Sequence, residues 1–70
     1  MRYAVLFEKG ETSYCAYVPD LPGCIAAAET EEEVRRLIHD AIEFHLEELK
    51  GSGEPIPEPA FSVEFIEVAA

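Results

Sequence analysis

Positive charge is scarce. Five Lys and Arg stand against fifteen Asp and Glu in 70 residues, a net charge of −10. Binding to nucleic acid needs a basic stripe that displaces phosphate counterions, and Arg35-Arg36 and Lys50 are isolated among carboxylates. Direct nucleic-acid binding and adhesion to anionic lipid are therefore excluded. Long apolar runs are also missing, and none approaches the ~20 residues of a membrane helix. Cysteine is limited to Cys15 and Cys24, whose spacing fits no metal or redox motif. With no secretory leader in front of them, they read as free thiols in a reducing cytosol, so the expected location is cytoplasmic. Length is short as well. The chain makes one domain, 1–70, and a domain of this size buries only ~60% of its unfolded surface. Such a small core predicts help from another chain, most simply a homo-oligomer in the form of a two-fold dimer.

The residues that are present alternate in two patterns. Arg2 to Glu8 reads as a strand, with Tyr3, Val5 and Phe7 on one side and Ala4 and Leu6 on the other. Glu8-Lys9-Gly10-Glu11 reads as a hairpin turn with Gly10 at positive φ. Thr12 to Val18 reads as the return strand, and Pro19 ends its pairing because it has no N–H. In Asp20-Leu21-Pro22-Gly23, the Pro-Gly pair suits the centre of a type II turn, and Cys24 to Ala28 follows as a short third strand. Thr30-Glu31-Glu32-Glu33 has the form of a capping box. The three glutamates suit the positive end of a helix dipole. Val34, Leu37, Ile38, Ala41, Ile42, His45, Leu46 and Leu49 then recur at helical spacing. The helix is expected over Glu31–Lys50, about 30 Å long, with Gly51 as its stop. Residues 51–59 form a Gly/Pro connector, and the alternation of Phe61, Val63 and Phe65 with Ser62 and Glu64 predicts a last strand running towards Val68.

The expected fold is α+β: an antiparallel sheet with one long helix on one face, in the order β-β-β-α-β. The richer sheet face (Tyr3, Val5, Phe7, Tyr14, Phe61, Val63, Phe65) should meet the helix. Leu6, Cys15, Tyr17 and Ile66 then fall on the opposite face, where a partner is expected to cover them.

Catalysis finds no convergent set of groups. His39 and His45 are six apart on the helix and cannot share a metal, and His45 belongs to the apolar stripe. Neither cysteine has a neighbouring base or cation to make it a nucleophile. The carboxylates Glu29, Glu31, Glu32, Glu33, Glu43, Glu47 and Glu48 lie on or beside one helix, mostly on its outer side. A two-metal nuclease centre draws acids from several elements around a cleft. No enzyme, no metal and no cofactor is expected.

One segment is more specific. Val18-Pro19-Asp20-Leu21-Pro22-Gly23-Cys24, followed by Thr30-x-x-Glu33 and a long amphipathic helix, resembles the HicB-like antitoxin family. In that family Pro-Asp-Leu-Pro-Gly-Cys closes a strand, an acidic residue and Thr introduce the helix (here Glu29-Thr30), and a Gly followed by Ile-Pro-x-Pro comes later (here Gly53 through Pro59). The likeness runs from Arg2 to about Pro59. Ala28 stands where the family often has Gly. The resemblance implies a partial ribonuclease-H-like fold without catalytic carboxylates. It also implies self-association, and neutralisation of a HicA-like toxin, a small basic ribonuclease that cleaves messenger RNA. Many members continue into a DNA-binding region. This sequence ends at Ala70, so operator binding is not expected.

Two functions follow: an antitoxin for a basic toxin, or an orphan oligomeric module that binds another protein or ligand. A short basic reading frame next to this one would separate them. The expected partner-binding residues are the acids Asp20, Glu29, Glu31 and Glu32, with Leu6 and Tyr17 of the uncovered sheet face as the second surface. Glu33 is assigned to the helix cap.

Overall fold

The period-two segments near the N-terminus pair as an antiparallel hairpin, extended by a third strand. In the computed structural model, which describes residues 1–70, the elements are β1 (Leu6–Lys9), β2 (Tyr14–Tyr17), β3 (Ile25–Ala28) and one helix, α1 (Glu31–Gly51). The sheet order is β1-β2-β3. Phe7, Ala16 and Ala26 stand in register across it, as do Leu6, Tyr17 and Ile25. The α+β class, with the helix following three antiparallel strands, is the one expected. The strands are shorter than their alternation suggests, because Arg2–Val5 makes no backbone pairing. The first turn is also shifted. Gly10 donates its amide to the Ser13 carbonyl at 2.8 Å, and its φ is not positive. Glycine serves there by size, since a Cβ would come within 3.3 Å of that carbonyl.

The turn between β2 and β3 is two turns in succession. Val18 accepts from the Leu21 amide at 3.0 Å, Leu21 accepts from the Cys24 amide at 3.0 Å, and the Val18 amide closes the loop on the Cys24 carbonyl at 3.2 Å. Pro22 and Gly23 are central in the second, where Gly23 has φ of 86°, the left-handed value that a type II turn requires. The double turn throws Leu21 inward. Leu21 and Cys24 join Ala16, Val18, Val34 and Ile38 as the buried core. Ala28, within β3, keeps an ordinary negative φ, so the family's glycine is not needed for backbone reasons here.

The helix begins as expected. Thr30 is extended (φ −126°, ψ 155°) and its hydroxyl accepts the Glu33 amide at 3.1 Å. Glu33 makes no return bond, so half of the capping box is formed. Thr30→Ala should cost about 1 kcal/mol, read as a lower urea midpoint at unchanged slope. At the other end Gly51 does not stop the helix. Gly53 does, at φ 75°, in a Schellman arrangement: the Gly53 amide donates to Lys50 and the Glu54 amide to Leu49.

α1 is about 31 Å long, whereas a four-residue strand spans about 13 Å. Its first half therefore carries the buried contacts, Val34 and Ile38. Ile42, His45, Leu46 and Leu49 beyond them are only half-buried, and Phe44 is exposed.

The expected last strand is not formed. Residues 60–70 are exposed and carry no strand pairing. Phe61, Val63 and Phe65 therefore do not meet the helix, and Ile66 does not join the opposite sheet face. Alternation supplies a strand-compatible segment but not an edge to pair with. The remainder of the richer face behaves as expected. Tyr3, Val5 and Tyr14 pack against the core. Phe7 shares that face but lies at its rim, with the Arg35 guanidinium 5.1 Å from its ring centre.

Candidate functional site

The expected acidic contact residues fall into two groups at opposite ends of β3. At one end, Glu29, Glu31 and Glu32 surround the start of α1, all exposed. Glu31 pairs with Arg35 at 3.3 Å, an i,i+4 contact between side chains more than half exposed. Glu29, Glu32 and Glu33 make no ion pair. Thr30, Glu32, Glu33 and Arg36 line a shallow depression on this outer face. The surface is thus strongly anionic, with one of its carboxylates partly offset by a neighbouring guanidinium.

Asp20 lies at the other end, in the double turn, and is separated from the helix start by the length of β3. Sequence proximity to the helix did not carry over into space. Its carboxylate has a different occupation: one oxygen accepts the Ala60 amide at 3.0 Å and the other the Phe61 amide at 3.3 Å. Tyr3 donates its hydroxyl to the Pro57 carbonyl nearby. Burial first, then the Asp20 and Glu58 carboxylates, push the Tyr3 phenol above its ordinary value, which keeps it a donor. Asp20 and Tyr3 together tether the C-terminal segment to the sheet. No local signal announced this clamp, because its partners are 40 and 41 residues apart in sequence.

Leu6 and Tyr17 pair across β1 and β2 on the face away from α1, as expected. Leu6 is half-buried and Tyr17 exposed. Two residues missing from the expected patch belong to it by register: Ile25, 70% exposed, and Ala27. Alternation within β1 and β2 puts Leu6, Cys15 and Tyr17 on this face, and the β2–β3 register adds Ile25 and Ala27.

Two further groups bear on chemistry. Cys15 is exposed on this outer face, while Cys24 is buried in the core, where burial pushes its thiol up. Native protein should therefore take up one equivalent of a maleimide, at Cys15, and a second only on unfolding; mass spectrometry of the labelled chain reads this directly. His39, Asp40 and Glu43 bring their ligand atoms within 4.8 Å of one another on one exposed helical turn. The imidazole lies 3.6 and 3.8 Å from the two carboxylates. The grouping pairs a histidine with its i+1 and i+4 neighbours, whereas His45 lies elsewhere on the helix. No helix is long and apolar enough to cross a membrane.

Comparison with known proteins places this arrangement. A family model described as the HicB-like antitoxin of bacterial toxin–antitoxin systems matches residues 3–68. Antitoxin HicB 2 of Photorhabdus laumondii is 35% identical over 75 aligned residues, covering all of this chain and 51% of the relative. An uncharacterised 14.9 kDa protein of Haemophilus phage HP1 is 37% identical over 57 residues, covering 81% of this chain and 43% of its own length. The chain thus spans about half the length of these curated relatives. Among solved structures, a chain of a HicA3 and HicB3 toxin–antitoxin complex superposes with a TM-score of 0.71 at 28% identity, over 86% of this chain and 70% of that one.

Proposed function

The chain belongs to the HicB-like antitoxin family of bacterial toxin–antitoxin systems, and from that membership we propose that it binds and neutralises a small, basic, HicA-type ribonuclease that cleaves messenger RNA. The observation that carries the reading is the fold match to a chain of a HicA3–HicB3 complex over 86% of this sequence. Charge supports it independently. A net charge of −10 and an anionic surface at the start of α1 suit a cationic RNA-binding surface, which they would both attract and occlude. Glu29, Glu31 and Glu32 are the proposed contacts. Asp20 contributes by holding the chain that follows the helix. Leu6 and Tyr17, with Ile25, are the second candidate surface. The protein acts in the cytoplasm as a non-catalytic, self-associating binding partner and does not itself contact nucleic acid.

The test is inhibition. Purified protein, added in equimolar amount to the HicA-type toxin encoded beside its gene, should abolish cleavage of a messenger RNA substrate. Undiminished cleavage at tenfold excess would defeat the proposal. RNA cleavage by this protein alone with magnesium or manganese would defeat its non-catalytic part.

A further inference from the structure

Beyond Ile38, α1 buries no residue, and the exposed side of this half of the helix carries one large apolar side chain. Phe44 is 67% exposed. A lone exposed apolar residue is ordinary, but this one has defined surroundings. Three shallow depressions adjoin it, and together they set the carboxylates of Glu43, Glu47, Glu48 and Glu54 against one ammonium, Lys50. Glu47, Glu48 and Lys50 make no ion pair. The ring itself is uncovered as well: Arg35 lies over Phe7 and Lys9 over Tyr14, and no cation of this chain lies over Phe44.

The position also belongs to a pattern. Glu33, Leu37, Asp40, Phe44 and Glu47 recur three and four residues apart, so they share one flank of the helix, beside the apolar stripe that begins at Val34. Glu33 starts this flank within the anionic surface at the beginning of α1.

We propose that this flank continues the toxin-binding surface, with Phe44 as its apolar anchor: the ring takes an arginine or lysine side chain of the basic partner on its face, and the surrounding carboxylates take the charge. The inference rests on the toxin reading and extends its contacts along α1. The face of an aromatic ring attracts a cation, more strongly once water is excluded. An aromatic side chain within a polar rim is also the usual form of an interface hot spot. Charge decides between occupants. A second copy docked here about a two-fold axis would set like carboxylates against each other. The chain's own C-terminal segment brings Glu58, Glu64 and Glu67 and no cation. Nucleic acid and anionic lipid are repelled. A basic protein surface is the occupant of complementary sign.

The experiment is calorimetric titration of the full chain with the HicA-type toxin encoded beside its gene. Phe44→Ala should raise Kd by on the order of tenfold at an unchanged urea midpoint, since the ring lies outside the core. Phe44→Tyr keeps the ring face and should bind as wild type. Glu47→Gln with Glu48→Gln should weaken binding at low salt and reduce its salt dependence. Phe65→Ala, in the C-terminal segment and 96% exposed, should change nothing. Wild-type protein that does not bind the toxin would defeat the toxin reading and this inference with it. Wild-type binding that Phe44→Ala leaves unchanged overturns this inference alone. So does a Phe44→Tyr variant as weak as Phe44→Ala, or an equal loss with Phe65→Ala, which would mark a general loss of apolar surface and not an anchor.

Discussion

Leu21→Ala is expected to remove about 2–5 kcal/mol of folding stability, a large part of the roughly 4–10 kcal/mol typical of a domain this size. Leu21 is fully buried in a core of only six residues. It is delivered there by a turn that three backbone hydrogen bonds hold in place, so the surroundings have little freedom to close over the lost side chain. Partial collapse is what separates mild from severe truncations. The lesion also sits at the top of the loop whose Asp20 secures the C-terminal segment. Urea unfolding should therefore show a midpoint far below wild type, or no folded baseline at all. Ile25→Ala, four residues on but 70% exposed, should stay within about 0.5 kcal/mol of wild type. Equal midpoints for the two variants would mean that Leu21 is not the centre of the core.

Reversing Glu31 and Glu32 to Lys together should slow association with a cognate toxin by on the order of tenfold and flatten its dependence on salt. The double reversal moves the net charge by four units, from −10 to −6, and concentrates that change on the proposed contact surface. Steering between unlike charges acts on the encounter rate and weakens as salt screens it. Removing it should matter most at low ionic strength. The Glu31–Arg35 pair is exposed, and such pairs add little to stability. Two lysines in the first turn do oppose the helix dipole, by about 0.3–1 kcal/mol each. Glu31→Gln with Glu32→Gln separates the effects, because it removes the steering charge with less disturbance of the helix. Stopped-flow rates across a salt series decide the matter. Wild-type rates with the wild-type salt slope would move the contact surface to the exposed sheet face with Leu6, Tyr17 and Ile25.

What the sequence determined by itself was local. Thr30 and its three following glutamates place the helix start because a cap and a dipole act within one turn. The 3.6-residue stripe from Val34 to Leu49 identifies the face that packs. Pro22-Gly23 specifies its turn because φ is restricted at one residue and must be positive at the next. The Pro-Asp-Leu-Pro-Gly-Cys run followed by a capped helix was enough to point to the family. The helix runs one residue beyond the expected Lys50, and the glycine that stops it is Gly53 and not Gly51, because both are equally able to end it locally. The hydrogen bonds from Gly53 and Glu54 back to the last turn settled which one did.

The tertiary structure alone decided everything that depends on pairing across distance. Alternation at Phe61–Val68 states that a strand is possible, but a strand needs an edge, and the structure leaves that segment without one inside the chain. β3 runs away from the double turn and carries the helix start with it, so Asp20 and Glu31, near one another in sequence, end on different parts of the surface. A turn carboxylate reads the same in sequence whether or not it holds backbone amides, and only the fold shows that Asp20 accepts those of Ala60 and Phe61. Leu21 looked like one apolar residue in a polar turn; the two successive turns made it the centre of the core. In each case the deciding hydrogen bond or packing contact joins groups whose proximity is set by the whole fold, and no window of neighbouring residues contains that information.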